Sequence, residues 1–169
     1  MEDAMIVLGI DPGLATIGYG VIETDNANKM RLIDYGTILT PAGMKLPERL
    51  DIIYDSMLEL IDRFKPQAVA FEELFFAKNV TTGINVAHAR GVLVTAAYKK
   101  LGNEIYEYTP LQVKQAVVGY GRADKLQVQA MVKTILGLKQ VPRPDDAADA
   151  VAVAITHAQS RAFENVFKY

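Results

Sequence analysis

Residues 5–13 read Met-Ile-Val-Leu-Gly-Ile-Asp-Pro-Gly, an apolar run that ends in an acidic turn. Such a run, closed by Asp-Pro-Gly, predicts a short buried strand that leads directly into a turn. Residues 16–23 and 31–39 have the composition of two further strands, and the polar segment 25–28 separates them. The chain is therefore expected to open with three antiparallel strands.

A helical period begins after the third strand. Apolar residues recur at three- and four-residue steps from Leu46 to Phe64, which predicts an amphipathic helix that ends at Pro66. A short apolar strand over residues 67–71 then ends at Glu72. The rest of the chain predicts a helix over about 80–101, a strand over 104–108, and helices that begin at Thr109-Pro110, at Asp124 and at about Asp145.

This order of elements, three strands and then alternating helices and strands, predicts an α/β fold with a mixed five-stranded sheet flanked by helices. No internal repeat, low-complexity stretch or linker interrupts the 169 residues. A single domain over residues 1–169 is therefore expected. The sequence leaves open whether the tail from about residue 161 is ordered.

The composition excludes several classes of protein. Half of the residues are hydrophobic and 22% are charged, as in ordinary globular proteins. The chain has no cysteine, which excludes disulfides and thiolate metal sites. No apolar run reaches the ~18–20 residues of a membrane span, and no basic segment precedes an apolar stretch near the N-terminus. We expect a cytoplasmic protein with no membrane partner.

Charge is distributed unevenly along the chain. Residues 1–75 carry 6 Lys/Arg and 13 Asp/Glu, a net charge of −7, whereas residues 76–143 carry 10 and 3, a net charge of +7. Residues 144–169 carry 2 and 4, which gives the total of −2. An anionic partner that meets the basic segment would explain this pattern, although folding could also mix the two segments on one surface.

Four acidic residues interrupt apolar surroundings at the ends of predicted elements. Asp11 closes the first strand, and Glu72 closes the fourth. Asp146 and Asp149 lie one helical turn apart near the start of the last helix, where they share a face. Alanines and a valine flank Asp149, and a carboxylate in so apolar a helix is rarely buried without a cation or a hydrogen-bond donor.

These carboxylates predict a metal site if the fold brings them together. With no cysteine and only two histidines, oxygen ligands suit a hard cation such as Mg²⁺ or Mn²⁺. Two such ions ~4 Å apart can activate a water and stabilise the leaving oxygen in phosphodiester cleavage. Taken separately, Asp11 could be an ordinary turn residue and Glu72 a surface acid at a strand end. Asp145 and Asp146 could be favourable charges at a helix N-terminus.

Several segments together resemble the RuvC family of Holliday-junction resolvases over roughly residues 5–158. The matching residues are Gly9-Ile10-Asp11-Pro12-Gly13, Gly18-Tyr19-Gly20, Glu72 with Phe75, Ala77, Lys78 and Asn79, Ala89-Arg90-Gly91-Val92, Val113-Lys114-Gln115, Val117-Val118-Gly119 and Asp146-Ala147-Ala148-Asp149-Ala150. Asp-Pro-Gly alone is a weak signal, whereas the combination is specific. The resemblance implies a ribonuclease H-like fold and a Mg²⁺-dependent DNA endonuclease. Such an enzyme resolves four-way junctions by paired symmetric nicks in homologous recombination and DNA repair.

The resemblance also implies a set of metal ligands. The positions that match the family's catalytic ligands are Asp11, Glu72, Asp146 and Asp149. Two Mg²⁺ per subunit are expected, and Mn²⁺ as a substitute. Some family members have His where Asp146 stands, so that position tolerates either ligand. Asp145 and Glu73 are further acids beside the expected site, and the resemblance assigns them no role.

Contacts to DNA are expected from five residues. Lys114 and Lys125 match family positions implicated in DNA binding and catalysis, and the glycine-containing loop between them includes Arg122. Phe75 matches an aromatic residue that stacks on junction bases, and Lys78 lies in the same matched segment. The alternatives are that the lysines are solvated surface residues and that Phe75 belongs to the core.

The resemblance implies partners as well. A homodimer is expected, because an open four-way junction has approximate two-fold symmetry and a C2 dimer presents two identical sites to strands of like polarity. The branch-migration proteins RuvA and RuvB are expected partners by family resemblance.

Three other functions remain open from the residues alone. An actin-like phosphotransferase domain also begins with a strand, an Asp-x-Gly turn and a strand. Such proteins need two of these domains, and this sequence contains no second glycine-rich phosphate loop. A junction-binding protein without catalysis is a second alternative, against which the complete carboxylate set argues. A nuclease of the same fold that acts on RNA or on other branched DNA is the third.

Overall fold

The computed structural model describes residues 4–73, 80–161 and 169. The strands within them are β1 (Met5–Asp11), β2 (Thr16–Thr24), β3 (Met30–Leu39), β4 (Ala68–Glu72) and β5 (Ile105–Tyr108). The helices are α1 (Leu46–Phe64), α2 (Val80–Leu101), α3 (Pro110–Val117), α4 (Lys125–Ile135) and α5 (Asp145–Gln159). The element types predicted from the sequence are confirmed, and the boundaries differ by a residue or two.

Local signals in the sequence account for the ends of several helices. Asp124 caps α4, because its side chain accepts a hydrogen bond from the backbone N–H of Gln127 at 2.8 Å. Thr109 caps α3 in the same way, through the N–H of Gln112 at 3.1 Å. α1 ends at Phe64, and the next residue, Lys65, adopts the left-handed conformation with φ of 49° immediately before Pro66.

The sheet is mixed, with strand order β3-β2-β1-β4-β5. β1 and β2 are antiparallel, as are β2 and β3, whereas β1 is parallel to β4 and β4 is parallel to β5. The antiparallel opening and the mixed five-stranded sheet predicted from the sequence are confirmed. β1 is central, and its carboxyl end lies beside the carboxyl end of β4.

Two apolar cores cover the two faces of the sheet. On one face, Leu8, Ile10 and Phe71 pack with residues of α1 and α2. On the other face, Val7 and Ala70 pack with residues of α3, α4 and α5. Most of α5 is buried, including every residue from Ala150 to Ala158. Because the centre of the sheet is covered on both sides, β1 and β4 are apolar up to their last residue rather than alternating.

Glycines allow α5 to lie unusually close to the sheet. A Cβ placed on Gly9 would fall 2.1 Å from the backbone oxygen of Ala150, and one on Gly20 would fall 2.8 Å from the Cα of Val151. Gly9 and Gly20 are partners in the β1–β2 register. The backbone of α5 therefore packs directly against β1 and β2.

Among the helices in the described part of the chain, none combines the length and the apolar character that a membrane crossing requires.

Candidate active site

Two acidic residues meet where β1 and β4 end. In the register of these parallel neighbours, Ile10 lies opposite Phe71. Asp11 and Glu72 follow these residues, and each is the last residue of its strand. The two carboxyl groups lie close enough that each affects the pKa of the other.

The first turns of α5 add two more carboxylates. Asp146 and Asp149 are three residues apart, so they face the same direction from the helix. One carboxylate oxygen from each of Asp11, Asp146 and Asp149 lies within 4.8 Å of the other two. The structure therefore brings together, where β1 and β4 end, the four carboxylates that the sequence selected. Glu72 is not one of the three within 4.8 Å of one another, but it is close enough to Asp11 to raise its pKa.

Burial and mutual repulsion make this cluster unfavourable for negative charge. Burial, reinforced by the neighbouring carboxylates Glu72, Asp149 and Asp146, raises the pKa of Asp11 to about 9. The pKa of Glu72 is raised by burial and then by Asp149, although Asp11, Lys125 and Lys114 oppose the shift. Burial also raises the pKa of Asp149, against the influence of Lys125.

A hard divalent cation fits this donor set. The donors are carboxylate oxygens, the ligands that Mg²⁺ and Mn²⁺ prefer, and the cluster contains no sulfur. A cation among these carboxylates would also offset the repulsion that raises the pKa of Asp11.

A pocket of about 210 Å³ opens beside the carboxylates. Glu72 and Asp149 line it together with Lys114 and Lys125, over an apolar floor that includes Val113. The pocket is thus lined by both acidic and basic side chains. This arrangement suits a phosphodiester, because the lysines can attract the phosphate that the carboxylate cluster alone would repel.

Lys125 connects the pocket to the start of α5. Its Nζ lies 3.5 Å from a carboxylate oxygen of Asp149 and 3.4 Å from one of Asp145. Burial alone would lower the pKa of Lys125, but the Asp149 and Asp145 carboxylates raise it overall. Lys125 is therefore a cation held directly beside one member of the carboxylate cluster.

The structure surrounds Asp145 with basic and amide groups. Arg143 donates to Asp145 at 2.7 Å, and Gln129 donates to it at 3.2 Å. Hydrogen bonding to Lys125 is the main reason that the pKa of Asp145 is lowered. Asp145 is thus an ionised partner of basic and amide groups at the helix start.

The remaining sequence-selected residues fall outside the pocket or outside the described residues. Arg122 is exposed in the segment between α3 and α4, and it is not among the described residues that line the pocket. Glu73 is exposed as well, and its backbone N–H donates to the Tyr108 carbonyl at 2.8 Å. Phe75 and Lys78 lie outside the described residues.

Sequence reasoning assigned no role to Arg90, which the structure places behind Glu72. Arg90 lies on α2 with only 6% of its surface exposed, and its guanidinium donates to the backbone carbonyl of Glu72. The available signal was an arginine between the apolar residues Ala89 and Leu93, both of which are buried. A charged residue in such a position needs partners, and the sequence does not identify them.

The chain matches known proteins over nearly its whole length. Residues 7–157 match the family described as crossover junction endodeoxyribonuclease RuvC. A protein of that name from Alkaliphilus metalliredigens is 58% identical over 166 residues, which covers 97% of this chain and 99% of the relative. Thermus thermophilus RuvC in complex with a Holliday junction substrate is 41% identical with a TM-score of 0.89, and the match covers 97% of this chain and 98% of the other.

A more distant structure shares the fold alone. The yeast mitochondrial Holliday junction resolvase Ydc2 superposes with a TM-score of 0.67 at 15% identity, and the match covers 95% of this chain and 83% of the yeast chain. The ribonuclease H-like arrangement of the sheet and helices is therefore kept where most of the side chains differ.

Proposed function

The chain belongs to the RuvC family of crossover junction endodeoxyribonucleases, and from this we propose that it resolves four-way DNA junctions by paired symmetric nicks. The substrate is branched DNA of homologous recombination and repair, and the bond cut is a phosphodiester of the backbone. The observation that carries the proposal is the convergence of acidic side chains from β1, β4 and α5 at one sheet edge.

Asp11, Glu72, Asp146 and Asp149 are the proposed ligands of two Mg²⁺ ions, for which Mn²⁺ can substitute. The support is chemical, since the donors are oxygens and the mutual repulsion of the carboxylates, which raises the pKa of Asp11, would be relieved by a cation. Divalent ions held by these residues would polarise the scissile phosphate and lower the pKa of an attacking water. The carboxylates fix where that chemistry would take place, because they project from the ends of β1 and β4 and from the start of α5.

Lys114 and Lys125 are the proposed phosphate-facing residues. Both line the pocket with Glu72 and Asp149, so a phosphate within reach of the carboxylates also comes within reach of the lysines. Lys125 pairs with Asp149 and Asp145, and an incoming phosphate would compete for the same ammonium group. Arg122, Lys78 and Phe75 are proposed to contact DNA as well, on the support of the sequence.

The proposed active form is a homodimer. A face of α2 with Ala87, His88 and Gly91 borders a shallow pocket that Tyr54 of α1 also lines. A Cβ placed on Gly91 would meet no atom of the described residues within 4 Å, so a second subunit could approach closely there. Light scattering of the purified protein would measure this state. Association with RuvA and RuvB, a single domain over residues 1–169 and a cytoplasmic location are further proposals from the family and the sequence.

A cleavage assay on synthetic DNA tests the proposed function. The protein would be incubated with a four-way junction and with a duplex of the same sequence, in Mg²⁺, in Mn²⁺, in Ca²⁺ and in EDTA. We expect symmetric nicks in the junction with Mg²⁺ or Mn²⁺, and only binding with Ca²⁺, whose larger and looser coordination holds the reacting oxygens badly. Cleavage in EDTA, or equal cleavage of duplex, would contradict the proposal, and binding without cleavage would indicate a non-catalytic junction-binding protein.

A further inference from the structure

Arg90 lies behind the site, against the end of the strand that carries Glu72. One arm of its guanidinium donates to the backbone carbonyl of Glu72, and another donates to a carboxylate oxygen of Glu107 at 2.6 Å. Glu107 lies on β5, directly opposite Phe71 of β4. The planar fork of one side chain thus bridges the last residue of β4 and the neighbouring strand β5.

Aromatic rings hold the same guanidinium from other sides. Its central carbon lies 5.5 Å from the ring centroid of Phe71 and 5.4 Å from that of Tyr169, distances at which a cation is attracted to a ring face. Arg90 is 6% exposed. Its position is therefore determined by contacts on several sides.

General stability is a poor explanation for a buried arginine at this place. Burying a guanidinium costs free energy unless its partners compensate, and well-packed apolar residues of similar volume often serve stability as well or better. The neighbours Ala89 and Leu93 on the same helix show that apolar residues pack at adjacent positions. What an apolar residue cannot do is donate to the Glu72 carbonyl.

The end of β4 needs such a donor. The β1–β4 pairing stops at Ile10 and Phe71, so Glu72 lies one residue beyond it. On the other side, Glu72 pairs with Tyr108, and the next N–H, of Glu73, donates to the Tyr108 carbonyl. The orientation of the peptide that follows Glu72 sets the direction of the chain as it leaves the sheet, and with it the aim of the Glu72 carboxylate.

We propose that Arg90 is a positioning residue that holds the Glu72 backbone so that its carboxylate faces the metal site. This inference rests on the proposed role of Glu72 as a metal ligand and extends it to α2. Partners of a ligand residue typically contribute about 10- to 100-fold to metal affinity or activity. Arg90 would act through Glu72 alone, without contact to the metal or to DNA.

The test measures metal binding in the absence of DNA and of catalysis. Mn²⁺ would be titrated onto the full-length protein and followed by water-proton relaxation, for the wild type, Arg90→Met and Arg90→Lys. We expect Arg90→Met to weaken Mn²⁺ binding about 10- to 100-fold. Arg90→Lys should recover part of the loss, because an ammonium can still donate to the Glu72 carbonyl but cannot form the same fork.

Leu93→Ala is the matched control for loss of stability. Leu93 is fully buried on the same helix, one turn from Arg90, so its truncation loosens α2 without touching Glu72. Its melting temperature should fall at least as much as that of Arg90→Lys, while its Mn²⁺ affinity stays within about twofold of the wild type. A comparable loss of Mn²⁺ affinity in Leu93→Ala would overturn the inference, because general loosening would then be sufficient.

A double-mutant cycle separates this inference from the proposed function. If Arg90 acts through Glu72, Arg90→Met should add less than about twofold to the effect of Glu72→Gln on Mn²⁺ affinity. A full additional loss would overturn the inference and leave Glu72 as a ligand. Wild-type affinity in Glu72→Gln would remove Glu72 from the ligand set, and the role of Arg90 would fall with it.

Glu107→Ala provides a second route if Arg90→Met does not fold. Glu107 is 37% exposed at its side chain, and its removal leaves Arg90 in place with one anchor fewer. We expect an intermediate loss of Mn²⁺ affinity, about threefold to tenfold. Unchanged affinity in both Glu107→Ala and Arg90→Lys would overturn the proposal.

Discussion

Gly18 lies against the backbone of Asp146, so closely that a Cβ at Gly18 would fall 1.9 Å from the Asp146 carbonyl oxygen. Gly18 is also the partner of Asp11 in the β1–β2 register. One position on β2 therefore controls the distance between the strand that carries Asp11 and the helix that carries Asp146 and Asp149. The geometry of the carboxylate cluster therefore depends on a glycine.

Gly18→Ala is the first prediction from this contact. The added methyl group must push the start of α5 away, since no real Cβ approaches a backbone oxygen at this distance. Misplacing catalytic groups by about 1 Å can cost about 100-fold in rate, whereas overpacking typically costs about 1–3 kcal/mol of stability. We expect junction cleavage to fall about 100-fold while the protein stays folded, measured by single-turnover kinetics and circular dichroism.

Gly43→Ala is the control for this substitution. A Cβ at Gly43 meets no atom of the described residues within 4 Å. Its cleavage rate should equal that of the wild type. A Gly18→Ala variant with wild-type cleavage would show that α5 tolerates displacement and that the site does not depend on this contact.

The second prediction concerns the electrostatic strain at Asp11. Its pKa is raised from 3.8 to about 9, so between these values the folded state holds a proton that the unfolded state releases. The contribution of Asp11 to stability is therefore full below pH 3.8 and is lost as pH rises towards 9. Asp11→Asn removes the titrating group, and in EDTA at pH 8 it should melt about 4 °C or more above the wild type.

The same Asp11→Asn protein should be inactive in Mg²⁺, because it lacks a proposed ligand. Its advantage in melting temperature should shrink at pH 5, and it should shrink at pH 8 when Mg²⁺ stabilises the wild type. Asp55→Asn, at an exposed position of α1, is expected to change neither. An Asp11→Asn protein that melts below the wild type at pH 8 in EDTA would show that the Asp11 carboxyl group does not destabilise the metal-free protein.

The third prediction distinguishes the two lysines of the pocket from ordinary phosphate contacts. Lys125→Ala and Lys114→Ala should lose catalysis more than affinity if both lysines meet the scissile phosphate beside Glu72 and Asp149. If they only neutralise backbone charge, affinity should drop modestly and the salt slope should flatten by about one unit per lost contact. Single-turnover rates and binding titrations over a range of salt measure both effects.

Lys29→Ala is a matched control for the lysine variants. Lys29 follows the turn between β2 and β3, which lies at the end of the sheet opposite Asp11. Its loss should change neither the cleavage rate nor the salt slope. If Lys125→Ala and Lys114→Ala behave as Lys29→Ala does, both are solvated surface residues.

Much of the site is predictable from sequence because it lies at the ends of elements. The apolar runs before Asp11 and Glu72 mark strand ends, and the alanines around Asp149 mark a buried helix face with a carboxylate in it. Side-chain periodicity does not show which strands are neighbours, so the parallel pairing of β1 and β4 is known only from the structure.

Contacts between elements are the part that the sequence does not predict. The role of Gly18 depends on where α5 crosses the sheet, and that of Arg90 depends on which carbonyl it reaches. Both residues belong to motifs that resemble the family, yet a motif does not state which backbone group its members touch. Asp145 is a further example, because the resemblance assigns it no role and only the structure shows that Arg143 and Lys125 hold it in ion pairs.

The last prediction concerns His157, which is buried against β5 near the end of α5. Its Nδ1 shares a hydrogen bond of 2.7 Å with the Tyr108 hydroxyl, and its ring lies 4.3 Å from that of Tyr106. Among the described residues, none is hydrogen-bonded to its Nε2. Burial, and then the charge of Arg161, lower the pKa of His157 from 6.5 to about 4.

The folded protein therefore excludes a proton that the unfolded chain accepts below pH 6.5. The stability contributed by neutral His157 is fully present above pH 6.5 and is lost as pH falls towards 4. At about 1.4 kcal/mol per pH unit for one proton, the loss is on the order of 3 kcal/mol. His157→Gln should be less stable at pH 7, because the packed ring is lost, but its unfolding free energy should fall less steeply with acid. Urea unfolding of both proteins at pH 7, 6, 5 and 4 measures the difference. Parallel acid profiles for wild type and His157→Gln would mean that His157 does not titrate differently in the folded and unfolded states.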